Sequence, residues 1–595
     1  MLSKSNLHSG LLIYVILLVA ALLRFWGVWD LPFHYDELSA IFRARAETWE
    51  QHWQTGVLPD GHPPGVQTFL WLWVKLFGEH PLPLHWLTAS MGVAAVYFIF
   101  KAGKQLFGMN AGLMAAGFYA VSYLPLVWSQ QIRPYSFGML WCAALLWVWA
   151  VTIRQPQVNK RLFWLFGILA GLGALTHYFA GLFGVMLWAS AVILIPHARK
   201  QLLFSGGIAL LIFSPGLPVF FHQIKNGGLD WLGKPDVSFI TEHLNYAFNG
   251  KWLFAGIMLP GLLLARLSME FQGESKMLWL LLLLFIIPIA LGFAWSHFAK
   301  PVLQHSVLLF SMPLLYLCFA RLFDQAKQGT LLYLALPALM LHGLWQSRYF
   351  PLQQKSGYRE QVRQMGAALK LHPGMTVLAD GPEDVIAYHL KNEKLKTDLK
   401  YISHSRIPFS YARFDSLLND VTRQNKPLGL MLNSGSHPGI IPWLEHRFGK
   451  PKQRHSHPFT EFLLFHDGKS TAVDYETAMV GKDSGLRLPL QLFWPLNNGV
   501  LVFHLPDSGL ASNTELIFRI LRNNRQIDFR SAKKSDFHGV GDGTLFLFVK
   551  TADIPGLKNG DVIQLNISAD GKPLQGQVKY RKSEGNPYLY GVDWF

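Results

Sequence analysis

The chain has few charged residues and almost no cysteine. Asp, Glu, Lys and Arg make up 15% of its 595 residues and hydrophobic residues make up 51%, which excludes a soluble multidomain protein of ordinary composition. The two cysteines, Cys142 and Cys318, each lie inside an apolar run, so they indicate neither a disulfide framework nor a thiolate metal site. No small-x-small cleavage site follows the first apolar run, so we expect it to remain as a membrane span.

Basic residues outnumber acidic ones, 53 to 37, and the formal net charge is +16. In the first half of the chain they lie between apolar runs, which is typical of topology signals in a membrane protein. This placement argues against a nucleic-acid partner, and we expect membrane lipids to surround the chain instead.

A bilayer core needs about 20 apolar residues per helix, and by that measure about eleven transmembrane helices precede residue 349. The predicted spans are 11–29, 84–100, 111–127, 135–153, 162–175, 180–195, 202–220, 252–264, 277–295, 302–320 and 331–345. The loops on the same side of the membrane as the N-terminus all carry Lys or Arg, so that side is predicted to be cytoplasmic. The localisation that follows is a multi-pass protein of a bacterial inner membrane, with these residues on the outer face: Asp36, Glu37, His62, Arg133, His177, His297, Lys300 and His305.

Two adjacent carboxylates, Asp36 and Glu37, follow the first span directly. Residues 38–53 then repeat apolar side chains at helical spacing, which predicts an amphipathic helix in the membrane interface that brings the acidic pair and His62 together. The alternative is that Asp36 caps this helix and Glu37 favours its dipole. Capping accounts for one carboxylate and leaves His62 unexplained, so both interpretations stay open.

A second outer segment, residues 129–135, presents Arg133 immediately before a proline, which favours an extended turn. A planar guanidinium suits a lipid phosphate at this depth, although a snorkelling arginine explains it too. Lys300 and His305 offer a second phosphate contact or an interfacial anchor. His177 lies at the outer turn of a predicted helical hairpin, where a single histidine is more often a structural residue than a ligand.

Four motifs carry a family resemblance. Tyr35-Asp36-Glu37 follows the first span, His62-Pro63-Pro64 and Leu76-Phe77-Gly78 come before the second, and residues 129–135 form the second outer loop. In order and spacing they resemble the GT-C glycosyltransferases, in the branch of the protein O-mannosyltransferases and the bacterial lipid A aminoarabinose transferases (glycosyltransferase families 39 and 83). The resemblance covers about the first 320 residues and implies a GT-C fold for residues 1–347, with the first outer loop at residues 30–83.

The resemblance implies transfer of a sugar from a polyprenyl-phosphate donor to a lipid, glycan or protein acceptor, with Asp36 as the catalytic carboxylate. We expect an inverting reaction in which Asp36 and Glu37 are the catalytic pair, Asp36 as the general base and Glu37 as the neighbour that shapes its electrostatic field. His62 falls where relatives place a metal or acceptor-site residue, and Arg133 falls near the carrier phosphate. Relatives often carry an Arg-Tyr pair in a late span, where this chain has His305-Ser306. A divalent cation (Mg, Mn or Zn) on Asp36, Glu37 and His62 is compatible with this reading. Secondary candidates for the site are Gln130, Gln131, Tyr135 and His177.

Two other functions stay open from the sequence. A polysaccharide ligase similar to O-antigen ligases would use a carrier diphosphate and rely on outer-loop Arg and His residues. A lipid-linked glycan transporter would place ionisable residues near mid-membrane, whereas here they gather on one face.

After residue 348 the apolar runs shorten and charge rises, which predicts soluble, extracytoplasmic regions. Residues 348–470 alternate helix and strand patterns, typical of a small α/β domain. Residues 471–595 are rich in short strand patterns separated by turn signals, which predicts a β-sandwich.

Overall fold

The structure is a computed structural model in which the chain divides into two compact units, residues 1–354 and 355–595. In the first unit it describes residues 4–154, 159–226, 232–250, 275–324, 340–342 and 344–345. In the second it describes 357–404, 407–424, 426–433, 435–437, 440–457 and 460–465, and beyond these the strands and the turn at 523–524.

The first unit is helical. Its helices are α1 (Lys4–Phe25), α2 (Tyr35–Arg43), α3 (Trp49–His52), α4 (Pro64–Phe77), α5 (Pro81–Phe107), α6 (Met109–Val121), α7 (Tyr123–Ser129), α8 (Pro134–Arg154), α9 (Lys160–Thr176), α10 (Tyr178–Leu194), α11 (Arg199–Phe213), α12 (Leu217–Asn226), α13 (Ser238–Ala247), α14 (Ser275–Phe298) and α15 (Met312–Asp324).

Five spans among the described residues are long and apolar enough to cross a membrane, or six if the bent α6–α7 pair is one span. This confirms a multi-pass helical membrane protein, and the count of about eleven spans stays a prediction. The predicted spans 252–264 and, for the most part, 331–345 lie outside the described residues. The span predicted over 302–320 is α-helical only from Met312, and residues 306–310 before it form a short 3-10 helix.

Helices α6 and α7 meet at an angle of 63°. Pro125 has no N–H and its ring would clash with the carbonyl of Val121, so a continuous helix cannot form there. Asn249 replaces the missing donor, since its Nδ2 donates to the Val121 carbonyl at 2.8 Å and its Oδ1 accepts from the Tyr123 N–H at 2.7 Å. The carbonyls of Tyr119 and Ala120, which precede the break, accept from the buried guanidinium of Arg24 at 3.2 and 2.9 Å.

The prediction of one amphipathic helix over residues 38–53 is wrong. Helix α2 ends at Arg43, and α3 starts after Thr48, whose hydroxyl accepts the Gln51 N–H at 3.1 Å and so caps a new helix. The unpredicted apolar helix α4 packs on this segment, because Gln67 donates to the Ala40 carbonyl and Trp71 to that of Ala46.

The first part of the second unit is a mixed sheet in the order β2-β1-β3-β5-β4. Its strands are β1 (Thr376–Asp380), β2 (Leu399–Ser403), β3 (Leu428–Asn433), β4 (Gln453–His457) and β5 (Thr460–Phe465), and its helices are α16 (Gly357–Leu371), α17 (Glu383–Asn392), α18 (Tyr411–Gln424) and α19 (Ile440–Phe448). Leu430 packs with Trp443 on one face and Met431 with Met365 on the other. Both faces are covered, which explains the unbroken apolar run in β3.

The rest of the unit forms two five-stranded antiparallel sheets, in the orders β10-β9-β13-β14, with β7 also paired to β13, and β11-β12-β8-β15-β6. Their strands are β6 (Glu476–Val480), β7 (Leu486–Pro489), β8 (Val500–Pro506), β9 (Thr514–Arg522), β10 (Arg525–Lys533), β11 (His538–Gly539), β12 (Thr544–Lys550), β13 (Val562–Ala569), β14 (Lys572–Leu574) and β15 (Gly576–Tyr580). Asn523 and Asn524, both at positive φ, form the hairpin turn between β9 and β10. A sandwich of these sheets stays a prediction.

The helix break provides a stability test at Asn249, which has φ 57°. Asn249→Gly tolerates that backbone conformation and removes three hydrogen bonds, so we expect it to lower the free energy of unfolding by about 3 kcal/mol at about 1 kcal/mol per bond. Asn249→Ala should cost about 1 kcal/mol more, because alanine is strained at positive φ. Thermal unfolding of the purified protein in detergent measures both. A melting temperature unchanged in Asn249→Gly would contradict this account of the break.

Candidate active site

A cavity of about 1000 Å³ lies at one end of the helix bundle, where α1 ends and α8 begins. Many of its lining residues are apolar or aromatic, among them Trp128, Phe179, Leu182, Phe220, Leu291, Trp295 and Val302. The polar lining residues, which we call the polar wall, include Asp36, Arg43, Asp60, His62, Arg133, His177, Gln223 and Lys300. A ligand with a lipid chain and a charged head group matches such a lining.

Helix α2 supplies one edge of the polar wall. Asp36, Ser39 and Arg43 line the cavity at helical spacing, while Leu38 and Ile41 on the opposite face are buried. The side chain of Asp36 is exposed to the cavity, and its carboxylate receives no hydrogen bond within the described part of the chain. It is therefore available to a substrate.

Glu37, the neighbour of Asp36, does not line the cavity. It is 1% exposed and its carboxylate accepts hydrogen bonds from the backbone N–H groups of His34 and Ile132, each at 2.7 Å, and pairs with His85 Nε2 at 2.9 Å. Burial by itself raises the pKa of Glu37, but the charge of His85 and these hydrogen bonds outweigh burial, so the pKa lies below its ordinary value. Both oxygens are engaged by the protein.

Arg133 approaches the cavity from the turn between α7 and α8. Pro134 occupies the first turn of α8, which suits its fixed φ, and keeps Arg133 outside the helix. Arg133 Nη1 donates to the main-chain carbonyl of Asp36 at 3.2 Å, whereas its buried Nε has no hydrogen-bond partner among the described residues. The guanidinium thus has donors left for an anionic group in the cavity.

Asp60 is a residue of this wall that the sequence analysis missed. It is 7% exposed, and its carboxylate pairs with His62 Nδ1 at 2.9 Å and Arg43 Nη2 at 3.5 Å. Burial alone raises the pKa of Asp60, but the charge and hydrogen bond of His62 and the charge of Arg43 hold it well below its ordinary value. Gln223 of α12 clamps the turn by donating to the main-chain carbonyls of Asp60 and His62.

His177 and Tyr135 lie next to His62. The ring centroids are 5.3 Å apart for His62 and His177 and 5.4 Å apart for His177 and Tyr135. Burial lowers the pKa of His177 well below its ordinary value, and the charges of His62 and Arg133 lower it further. His177 Nδ1 accepts the Phe179 N–H at 3.1 Å, so this histidine is neutral and caps α10.

The remaining sequence candidates divide between the cavity and its surroundings. Lys300 lines the cavity and donates to the Ile224 carbonyl at 3.3 Å. His305 does not line it, because its ring stacks on Phe239 with centroids 4.2 Å apart and pairs with Glu242 at 3.6 Å.

The two glutamines of the α7–α8 turn also lie outside the cavity wall. Gln130 is buried and donates to the carbonyls of Arg24 and Trp26 at 2.8 and 3.0 Å, which joins this turn to the end of α1. The Gln131 carbonyl accepts the Arg133 N–H at 2.9 Å and so helps to shape the turn.

Of the predicted metal ligands Asp36, Glu37 and His62, Glu37 does not fit a cation site, because both of its carboxylate oxygens accept hydrogen bonds from protein donors. His62 Nδ1 pairs with Asp60. Within the described ranges, no group of three His, Cys, Asp or Glu side chains has the geometry to hold a metal ion. The three predicted residues therefore do not form a metal site together.

Residues 61–218 match the family model described as dolichyl-phosphate-mannose-protein mannosyltransferase. The predicted family resemblance is confirmed. The match covers about a quarter of the chain and includes His62, Arg133 and His177, whereas Asp36 and Asp60 precede it. A comparison with curated proteins found no significant match.

Several solved structures are similar. The oligosaccharyltransferase of Archaeoglobus fulgidus, in a complex with Zn and sulfate, has 11% identity and a TM-score of 0.40 over 95% of this chain and 98% of its own. The Pmt1-Pmt2 protein O-mannosyltransferase complex of S. cerevisiae, bound to the sugar donor, has 17% identity and a TM-score of 0.28 over 39% of this chain and 35% of its own. The arabinofuranosyltransferase AftD from Mycobacteria has 12% identity and a TM-score of 0.39 over 99% and 62%. These TM-scores are too low to carry an argument about this chain.

The Asp60 cluster provides a test by double-mutant cycle. Asp60→Asn should lower the free energy of unfolding by about 1–3 kcal/mol, because it leaves Arg43 and His62 beside a neutral group. Arg43→Gln combined with Asp60→Asn should cost less than the sum of the single losses, since it removes the uncompensated charge as well. Melting temperatures of the four proteins in one detergent give the coupling. Strictly additive losses would show that Asp60 and Arg43 do not interact.

Proposed function

We propose that the chain is an integral-membrane glycosyltransferase that transfers a sugar from a polyprenyl-phosphate donor to a lipid, glycan or protein acceptor, with inversion at the anomeric carbon. The family match supports the transferase class. The observation that carries the proposal is that Asp36 and Arg133 line the same cavity as a set of apolar side chains suited to a lipid chain, and that Arg133 donates to the main-chain carbonyl of Asp36 at 3.2 Å.

The two residues have complementary roles in a single displacement. The Asp36 carboxylate accepts the proton of the acceptor group as that group attacks the anomeric carbon. The bond between this carbon and the phosphate oxygen breaks on the opposite face, and its electron pair leaves with the carrier phosphate. Arg133 and Lys300 stabilise the charge that develops on this phosphate, and attack opposite the leaving group inverts the configuration.

We propose the outer face of a bacterial inner membrane for the cavity, with a cytoplasmic N-terminus. Support comes from the basic residues at the helix ends away from the cavity, which are Lys101, Lys104, Arg154, Arg161, Arg199 and Lys200. On this topology residues 1–347 form the catalytic domain, and 348–470 and 471–595 are periplasmic domains.

The first test concerns Asp36. Asp36→Asn should reduce turnover by at least about 100-fold, because an amide cannot accept the proton, and should leave the melting temperature unchanged. Transfer is measured with purified, lipid-reconstituted protein and a polyprenyl-phosphate-sugar donor. Glu50→Gln, an exposed carboxylate in the same outer loop, is the matched control and should keep full activity. Unchanged turnover in Asp36→Asn would remove the proposed base.

The second test concerns the carrier phosphate. Arg133→Ala should raise the Kd for polyprenyl phosphate by about 10-fold or more, because it removes a charged fork of donors, and Arg133→Lys should recover only part of this loss. Competition by polyprenyl phosphate against a labelled donor measures the Kd. The exposed Arg45, which pairs with Glu79 at 2.8 Å, provides the control variant Arg45→Ala. Wild-type affinity in Arg133→Ala would exclude the proposed phosphate contact.

A further inference from the structure

The Glu37 carboxylate joins three separate segments of the first unit. Its Oε2 accepts the His34 N–H at the start of α2, and its Oε1 accepts both the Ile132 N–H of the α7–α8 turn and His85 Nε2 of α5. The three distances are 2.7, 2.7 and 2.9 Å. Glu37 is 1% exposed and His85 is fully buried, so these contacts are sheltered from water.

Asp36 and Arg133, the two residues of the proposed reaction, are each adjacent in the sequence to a residue that makes these contacts. Asp36 precedes Glu37 along α2, and Arg133 follows Ile132 in the turn. The Arg133 side chain then donates back to the Asp36 carbonyl at 3.2 Å, which closes a ring of contacts around the carboxylate. We therefore expect a displacement of Glu37 to change the separation between the carboxylate that takes the proton and the guanidinium that faces the phosphate. A change of about 1 Å in such a separation is enough to cost about 100-fold in rate.

His85 contacts Glu37 from helix α5 and does not line the cavity. Its ring packs edge-on against Phe33, with centroids 5.5 Å apart, and its buried Nδ1 has no hydrogen-bond partner in the part of the chain that the structure describes. Among the described residues, the hydrogen bond from Nε2 to Glu37 is thus the one hydrogen bond that the His85 ring makes. Removing one member of a buried pair of this kind leaves the other uncompensated, which is far costlier than losing an exposed pair.

We infer that Glu37 and His85 are positioning residues, which set the relative position of Asp36 and Arg133 without touching the substrate. This inference rests on the proposed function, because it assigns Asp36 and Arg133 their roles. It also explains why Glu37 follows Asp36 directly although its side chain is turned away from the cavity.

The test compares four single variants. Glu37→Gln and His85→Met remove the charge or the Nε2 donor at nearly constant volume, and both should lower kcat by about 10-fold or more and weaken polyprenyl phosphate binding several-fold. His85→Gln places an amide donor near the position of Nε2 and should recover most of both. Glu79→Gln removes an exposed carboxylate that pairs with Arg45 and should behave as wild type.

A double variant separates positioning from a general loss of stability. If Glu37 acts on the phosphate through Arg133, then Glu37→Gln combined with Arg133→Ala should bind polyprenyl phosphate no more weakly than Arg133→Ala alone. Additive losses of affinity would overturn the inference. Wild-type turnover and affinity in Glu37→Gln and His85→Met, with only lower melting temperatures, would overturn it too, as would failure of both to fold while His85→Gln folds normally.

The proposed function fails by a different outcome. If Asp36→Asn keeps full turnover, the assignment of the base is wrong whatever Glu37→Gln does. If Asp36→Asn is inactive and Glu37→Gln is fully active, the assignment of Asp36 as the base is supported and only the positioning role of Glu37 is excluded.

Discussion

Inside a membrane, each backbone carbonyl and N–H group must find a partner within the protein, since water is absent and an unpaired group costs several kcal/mol. Pro125 breaks the helix formed by α6 and α7, and the carbonyls on the N-terminal side of the break accept from Arg24 and Asn249 instead of the next helical turn. Gln130 likewise donates to the main-chain carbonyl of Arg24 at the end of α1. The chain can therefore bend where it does, and the turn after α7 carries Arg133, which contacts α2.

The second constraint is the balance of charge around the cavity. Three carboxylates lie at or beside its polar wall, and two of them are already engaged. The negative charge of Asp60 is balanced by His62 and Arg43, and Glu37 is buried against His85 and two backbone N–H groups. Within the part of the chain that the structure describes, Asp36 alone of the three keeps its carboxylate exposed to the cavity and without a hydrogen bond. The protein thus separates one acid that is exposed to the cavity from two acids that are paired with other protein groups.

The sequence predicted five of the membrane-spanning helices close to where the structure has them, because hydrophobic length is a property of the local chain. It failed at residues 38–53, where helical spacing continues through a break that the Thr48 cap and the packing of α4 create. Asp60 had a detectable signal, since it is a carboxylate two residues before His62 in a turn limited by two prolines. His85 had none, because one histidine near the start of an apolar helix is ordinary.

The local composition of the chain was enough to predict a multi-pass helical membrane protein, since the length of an apolar run is read from neighbouring residues alone. Tertiary structure decided which carboxylate stays available. The partner of Glu37 is 48 residues away and the clamp on Asp60 is 163 residues away, so no local pattern reports them. Burial and pairing control the chemistry of an acid, and both arise only when distant segments pack together.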